Sequence, residues 1–107
     1  MPTIDRGEVW LTDLGLAAKV RPCLVLSVPA ESSDRVLVTL VPHTTSVRGT
    51  RFEAAVPTHF LKAGAFDAQG LVTVAPARLL RRLGKLDHSE IGVVEAAVKH
   101  CLGLAVP

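Results

Sequence analysis

At 107 residues, 49% of them hydrophobic and 21% charged, the chain has the length of one domain able to bury roughly two thirds of its unfolded surface, and its composition excludes a disordered or fibrous protein. Twelve basic residues against ten acidic ones leave a formal net charge of +2, which excludes a generically basic nucleic-acid coat, so any nucleic acid must be held by a local patch. There is no apolar leader behind a charged start and no apolar run of bilayer length, so the expectation is a single domain over residues 1–107, cytoplasmic and without membrane contact.

From the N-terminus, Glu8 to Leu14 alternates Val9 and Leu11 against Trp10, Thr12 and Leu14, the period of a strand. Gly15 to Val20 is a short loop. Pro22 to Val28 is almost continuously apolar and predicts a central strand, and Pro29 to Asp34, with two serines and an acid, predicts a turn. Val36 to Val41 predicts a third strand stopped by Pro42, and Phe52 to Val56 a fourth ended by Pro57, with a turn at Arg48-Gly49 between them. A looser stretch leads to a strand over Leu71 to Ala75. After Pro76, helix and strand periods both fit ARLLRRLGKL; a brief helical turn followed by a strand over Arg82 to Leu86 is the reading adopted. Asp87 with Glu90 three residues on forms a capping box, Ile91, Val94, Val98, Cys101 and Leu102 share one helical face, and Gly103 supplies the stop. Many short strands followed by one helix predict a mainly β fold, a small and strongly bent barrel.

Cys23 and Cys101 lie far apart without C-x-x-C spacing and read as reduced thiols serving as small core hydrophobes. His43, His59, His88 and His100 are scattered, so a mechanism without metal or cofactor is expected. Trp10 in an alternating strand reads as core or dimer interface, which leaves Phe52 and Phe60 as the better stacking platforms for a base.

The chemistry concentrates at two strand ends. VRPCLVLS, Val20 to Ser27, opens on Arg21-Pro22, and VLVTLVPHTTS ends in the hydroxyls of Thr44, Thr45 and Ser46. A guanidinium and a hydroxyl converging there suit a phosphate, because the fork contacts two oxygens while the hydroxyl donates to a third. Pro22 biases Arg21 towards an extended backbone. Read from the residues alone, Arg21 is rather a surface partner for Glu8 or Asp13, and Thr44 a turn hydroxyl bonded to nearby backbone. His43, with a reference pKa of about 6.5, is either a general base or an ordinary hydrogen-bonded histidine.

RGEVWLTDL from Arg6 to Leu14, VRPCLVLS, LVTLVPHTTS from Leu37 to Ser46 and RRLGKLDHSEIGVVEAAVKHCLGL from Arg81 to Leu104 resemble, in order and spacing, the MazF/PemK family of toxin-antitoxin ribonucleases. The similarity runs almost end to end. It implies an SH3-like barrel with a C-terminal helix, a homodimer, and a metal-independent, sequence-specific endoribonuclease that cuts single-stranded RNA to a cyclic phosphate and a 5'-hydroxyl. It also implies a cognate antitoxin protein that blocks the RNA groove, with operator DNA contacted only by the toxin-antitoxin complex. The arginine of the family's R-P motif falls on Arg21 and its catalytic Thr or Ser on Thr44. With His43 beside them, these are the expected catalytic residues, and Lys19, Thr45, Ser46, Arg48, Arg51 and Gln69 the expected RNA contacts.

Three features depart from the family pattern. His43 replaces an aliphatic residue, the loop GLAAKV from Gly15 to Val20 is shorter than the usual glycine-rich segment, and QGLVTV from Gln69 to Val74 keeps the glutamine of a Gln-Ile-Arg segment but lacks its arginine. Arg48, Arg51 or Arg78 would have to supply that charge. Two other functions of the same fold stay open at this level: a protein-gripping toxin like the gyrase poisons, and a catalytically inactive nucleic-acid-binding regulator.

Overall fold

In the computed structural model, which describes residues 3–104 apart from 16 and 18, the described residues form β1 (Glu8–Asp13), β2 (Val20–Val25), β3 (Val38–Thr44), β4 (Glu53–Ala54), β5 (Ala65–Asp67), β6 (Val72–Val74), β7 (Leu79–Lys85) and α1 (His88–Leu102). The strands make one antiparallel sheet in the order β4-β5-β3-β2-β1-β7, with β6 also paired to β3. This is the expected mainly β fold with a C-terminal helix.

Strand alternation sorts the apolar residues onto two faces. Val9 lies opposite Leu24 and Leu24 opposite Val41; these three join Phe66, Leu86 and the helix residues Ile91, Val94 and Val98 in one core. One residue along, Trp10 lies opposite Cys23, and both pack with Val25, Val38, Leu40 and Leu79 in a second core. Trp10 is therefore a core residue of the monomer, 6% exposed. Register shifts between Val9 and Trp10 and between Leu11 and Thr12 interrupt the β1–β7 ladder, the kind of irregularity that bends a sheet around its core.

Several expected boundaries move, each for a tertiary reason. The second strand begins at Val20 and not Pro22, because Arg21 and Val20 pair with Thr12 and Asp13 of β1; it ends at Val25, where Leu26 and Ser27 both donate to the Thr39 carbonyl. Pro42 does not stop β3. Cys23 faces Pro42, but His43 and Thr44 then pair with Phe66 and Ala65 of β5, so one ladder closes as another opens. The fourth strand shrinks to Glu53–Ala54, and the looser stretch before Leu71 contains β5, held between β4 and β3. The strand over Leu71 to Ala75 shortens to Val72–Val74. The helical turn after Ala75 is present over Pro76–Arg78, and β7 starts directly behind it, earlier than Arg82.

The helix follows its sequence signals closely. An Asp87 carboxylate oxygen accepts the Glu90 N–H at 2.8 Å, while Glu90 accepts the Asp87 N–H at 2.9 Å. Gly103 ends the helix with φ 69°, a left-handed conformation that glycine adopts without Cβ strain. Cys101 is half-buried, and Leu102, on the expected apolar face, is 52% exposed; the stripe outruns the sheet beneath it. None of the described helices is long and apolar enough to cross a membrane.

Glu8 is a buried carboxylate, 6% exposed. One oxygen accepts the Asp5 N–H at 2.8 Å and the Trp10 indole N–H at 3.1 Å, and the other meets Arg82 Nε at 2.9 Å. The acid of the RGEVW segment thus ties the N-terminal turn, the only tryptophan and the edge strand β7 together. A buried polar group left without its partner costs about 1–3 kcal/mol. Glu8→Ala is expected to lower the unfolding free energy by about that amount, read as a lower urea midpoint with Trp10 fluorescence as probe. An unchanged midpoint would mean the cluster is energetically idle.

Candidate active site

The register of β2 against β3 builds the site. Cys23 faces Pro42, Leu24 faces Val41 and Val25 faces Leu40; Arg21 and Thr44 each lie two residues beyond the Cys23–Pro42 pair, past the end of the ladder. The strands separate beyond Pro42, and the space opened there is a concavity of 350 Å³ whose walls include Arg21, Pro42, Thr44, Asp67 and Gly70. A more polar hollow of 290 Å³ adjoins it and shares Arg21, Thr44 and Asp67 with it.

Thr44 is half-buried, and its Oγ1 accepts the Ser46 backbone N–H at 3.0 Å. With its lone pair so engaged, the hydroxyl proton is left to be donated to a ligand oxygen. Glu8 holds Arg82, and Asp13 accepts the Gly15 N–H at 2.8 Å and lies 3.9 Å from Arg78.

Two glycines allow the close approach that shapes the floor. A Cβ at Gly64 would lie 2.2 Å from the Thr44 carbonyl oxygen and 2.7 Å from His43 Cε1, and one at Gly70 would lie 2.7 Å from Pro42 Cγ. Neither position has room for a side chain. Asp67, at the end of β5, caps the turn Ala68–Gly70 by accepting the Gln69 N–H at 3.1 Å, and it faces Glu53 across the β4–β5 pair.

His43, the neighbour of Thr44 on β3, lines the first concavity and a separate one on the far side of β2. Pleat alternation turns its side chain to the other face, where it is 5% exposed and meets the Phe66 ring edge-on at 5.0 Å. Burial pushes its pKa below the ordinary 6.5. The remaining expected contacts are distributed unevenly. Ser46, Arg48 and Gln69 line the polar hollow, and Thr45 lines a separate concavity on the far side of β2. Arg51 lies over the Phe52 ring, 4.5 Å from its centroid. Lys19 is exposed, with φ 55°, and closes the loop through hydrogen bonds with Leu14 and Gly15; residues 16 and 18 of that loop lie outside the described residues. Glu53 binds the backbone N–H groups of Arg48 and Thr50, which holds its carboxyl below the usual range and fixes the turn bearing Arg48. Cys23 is buried and its thiol is pushed up to about 11 by that burial, consistent with a core role.

Asp67 is the site residue that the sequence did not single out. Its signal was an Asx cap, an acid two residues before Gln69, but nothing local relates it to Arg21 and Thr44.

Residues 5–102 match the family of PemK-like, MazF-like toxins of type II toxin-antitoxin systems. Solved structures with the same fold include an endoribonuclease in complex with its cognate antitoxin from a mycobacterial species, 26% identical over 97% of this chain and 99% of that one, with a TM-score of 0.82. Another is an endoribonuclease from a mycobacterial species, 25% identical over 100% of this chain and 98% of that one, at TM-score 0.81. MazF from Deinococcus radiodurans is 25% identical over 97% of this chain and all of its own, at TM-score 0.80.

The burial of His43 has a consequence for stability. Desolvation disfavours the imidazolium, so on acidification the unfolded chain takes up the proton before the folded one does. The contribution is intact above about pH 6.5 and is lost as the pH falls from there towards the folded-state value. Wild-type protein should show a lower urea midpoint at about pH 5.5 than at about pH 7.5, and His43→Phe, which keeps a ring against Phe66, should flatten that difference. An identical pH dependence in the variant would assign it to other groups.

Proposed function

Because the chain belongs to the PemK-like, MazF-like toxin family of type II toxin-antitoxin systems, we propose that it is the endoribonuclease toxin of such a pair, cutting single-stranded RNA with the ribose 2'-hydroxyl as nucleophile. The observation that carries this is the meeting of Arg21 and Thr44 in one concavity at the end of the β2–β3 ladder. Attack of the 2'-oxygen on phosphorus builds charge on the non-bridging oxygens. The Arg21 guanidinium binds those oxygens, and the Thr44 hydroxyl, its orientation set by the Ser46 N–H, donates to one of them.

A base must take the 2'-proton. Asp67 lines both hollows with Arg21 and Thr44, which supports its carboxylate in that role; His43 also lines the first of them, but its general-base role has less support, since the residue is 5% exposed and its ring is packed against Phe66. The Arg21 guanidinium also stabilises the charge that develops on the leaving 5'-oxygen. The P–O5' bond breaks as the 2'-oxygen bonds to phosphorus, and the departing 5'-oxygen takes a proton from water, giving a 2',3'-cyclic phosphate and a 5'-hydroxyl. Ser46, Arg48 and Gln69 in the polar hollow contact the neighbouring backbone. A cognate antitoxin, as in the mycobacterial complex, would act by covering this concavity, and the working species is a homodimer.

Arg21→Ala and Thr44→Ala should each lower kcat/KM on an unstructured RNA by about a hundredfold or more while thermal unfolding stays in place. A 2'-deoxy substitution at the cleaved nucleotide should abolish the reaction, and mass spectrometry of the products should find the cyclic phosphate. Full activity in either variant, or cutting at the deoxy position, would refute the mechanism.

A further inference from the structure

A second concavity lies on the other side of β2, and the chemistry proposed above does not use it. It encloses 410 Å³, within the range of about 300–1,000 Å³ typical of ligand sites. Its wall is apolar, made by Leu11 of β1, Leu83 of β7, and Phe60 and Leu61 from the segment before β5. Its rim is cationic, with Lys62, Arg81 and Arg21, and none of its lining residues is acidic. The polar hollow across the strand differs on that count, since Glu53 and Asp67 line it.

Two further observations give this space a direction. It meets the catalytic concavity at Arg21 and His43, which line both, so a chain with one phosphate on Arg21 enters it on leaving the catalytic side. The Phe60 ring is also held in place: it is half-buried and seated on the backbone of Gly84, where a Cβ would come within 2.7 Å of ring carbons. An aromatic ring beside aliphatic side chains, edged by cations, is the pattern that binds an unpaired nucleotide by stacking and charge.

We propose that this concavity is a nucleotide subsite for the residue adjoining the scissile phosphate, its base against Phe60, Leu61 and Leu83 and its outer phosphate between Lys62 and Arg81. The inference rests on the ribonuclease reading and extends it: the RNA bends around the end of β2, with Arg21 at the bend. Shape and stacking on this side then contribute to which sequences are cut.

The test uses the intact protein and a fluorescent, 2'-O-methylated RNA oligonucleotide, which binds but cannot be cleaved. Lys62→Ala combined with Arg81→Ala, both at exposed positions, should weaken binding about tenfold or more and reduce the slope of log K against log salt by about 1.4, the value for two lost single-strand contacts. On the cleavable RNA the same variant should raise KM with kcat within about twofold, the signature of lost ground-state binding. Phe60→Leu should weaken binding about fivefold or more with the salt slope unchanged. Lys99→Ala, on the helix, is the control that should alter neither. If wild-type protein cuts RNA and the double variant keeps its affinity and slope, or loses only the binding of an acidic peptide, the subsite is refuted alone. A wild-type protein that neither binds nor cuts RNA would remove the ribonuclease reading and the subsite with it.

Discussion

Everything at the site depends on the register of β2 against β3. Side chains alternate faces with a period of two, so a slip of one residue would send Arg21 to the face opposite Thr44 and bury the wrong half of each strand. The Val9, Leu24 and Val41 triplet on one face and the Trp10 and Cys23 pair on the other oppose such a slip, because it would carry these apolar side chains out of both cores at once. The two cores therefore fix where the strand ends bearing Arg21 and Thr44 lie.

The site also requires the ladder to stop in the right place. Pro42 cannot donate to a neighbouring strand, and β3 changes partner just past it, from β2 to β5. The gap so formed is the concavity. Gly64 and Gly70 let the chain close under it, one against the Thr44 carbonyl and the other against the Pro42 ring. His43 belongs to this scaffold, since its ring lies between Phe66 and the backbone at Gly64. The position that departs from the family pattern is thus accommodated by packing, at the cost of a neutral imidazole in the interior.

Charge is arranged with the same economy. Three acids take part in structural bonds: Glu53 closes the turn that bears Arg48, one oxygen of Asp67 caps the turn after β5, and Glu8 joins Trp10 to Arg82. The basic residues Arg21, Lys62 and Arg81 converge on the far concavity, which no acid lines. A net charge of only +2 is compatible with RNA binding on these terms, because a bound phosphate senses charges within about a Debye length more than the total.

The sequence by itself determined what depends on neighbours in the chain. The strand alternation around Val9 and Trp10, the capping box at Asp87 and Glu90, the left-handed stop at Gly103 and the two polar strand ends are local, governed by backbone preferences and periods that a short window contains. Ala65–Asp67 was illegible because a three-residue strand has no period of its own and exists only by pairing on both edges. The convergence of Asp67 with Arg21 and Thr44, the burial of His43, and the second concavity assembled from Leu11, Phe60, Lys62 and Arg81 were decided by the tertiary structure alone. Each joins residues from strands and loops far apart in the chain, and only register and chain closure determine which of them meet.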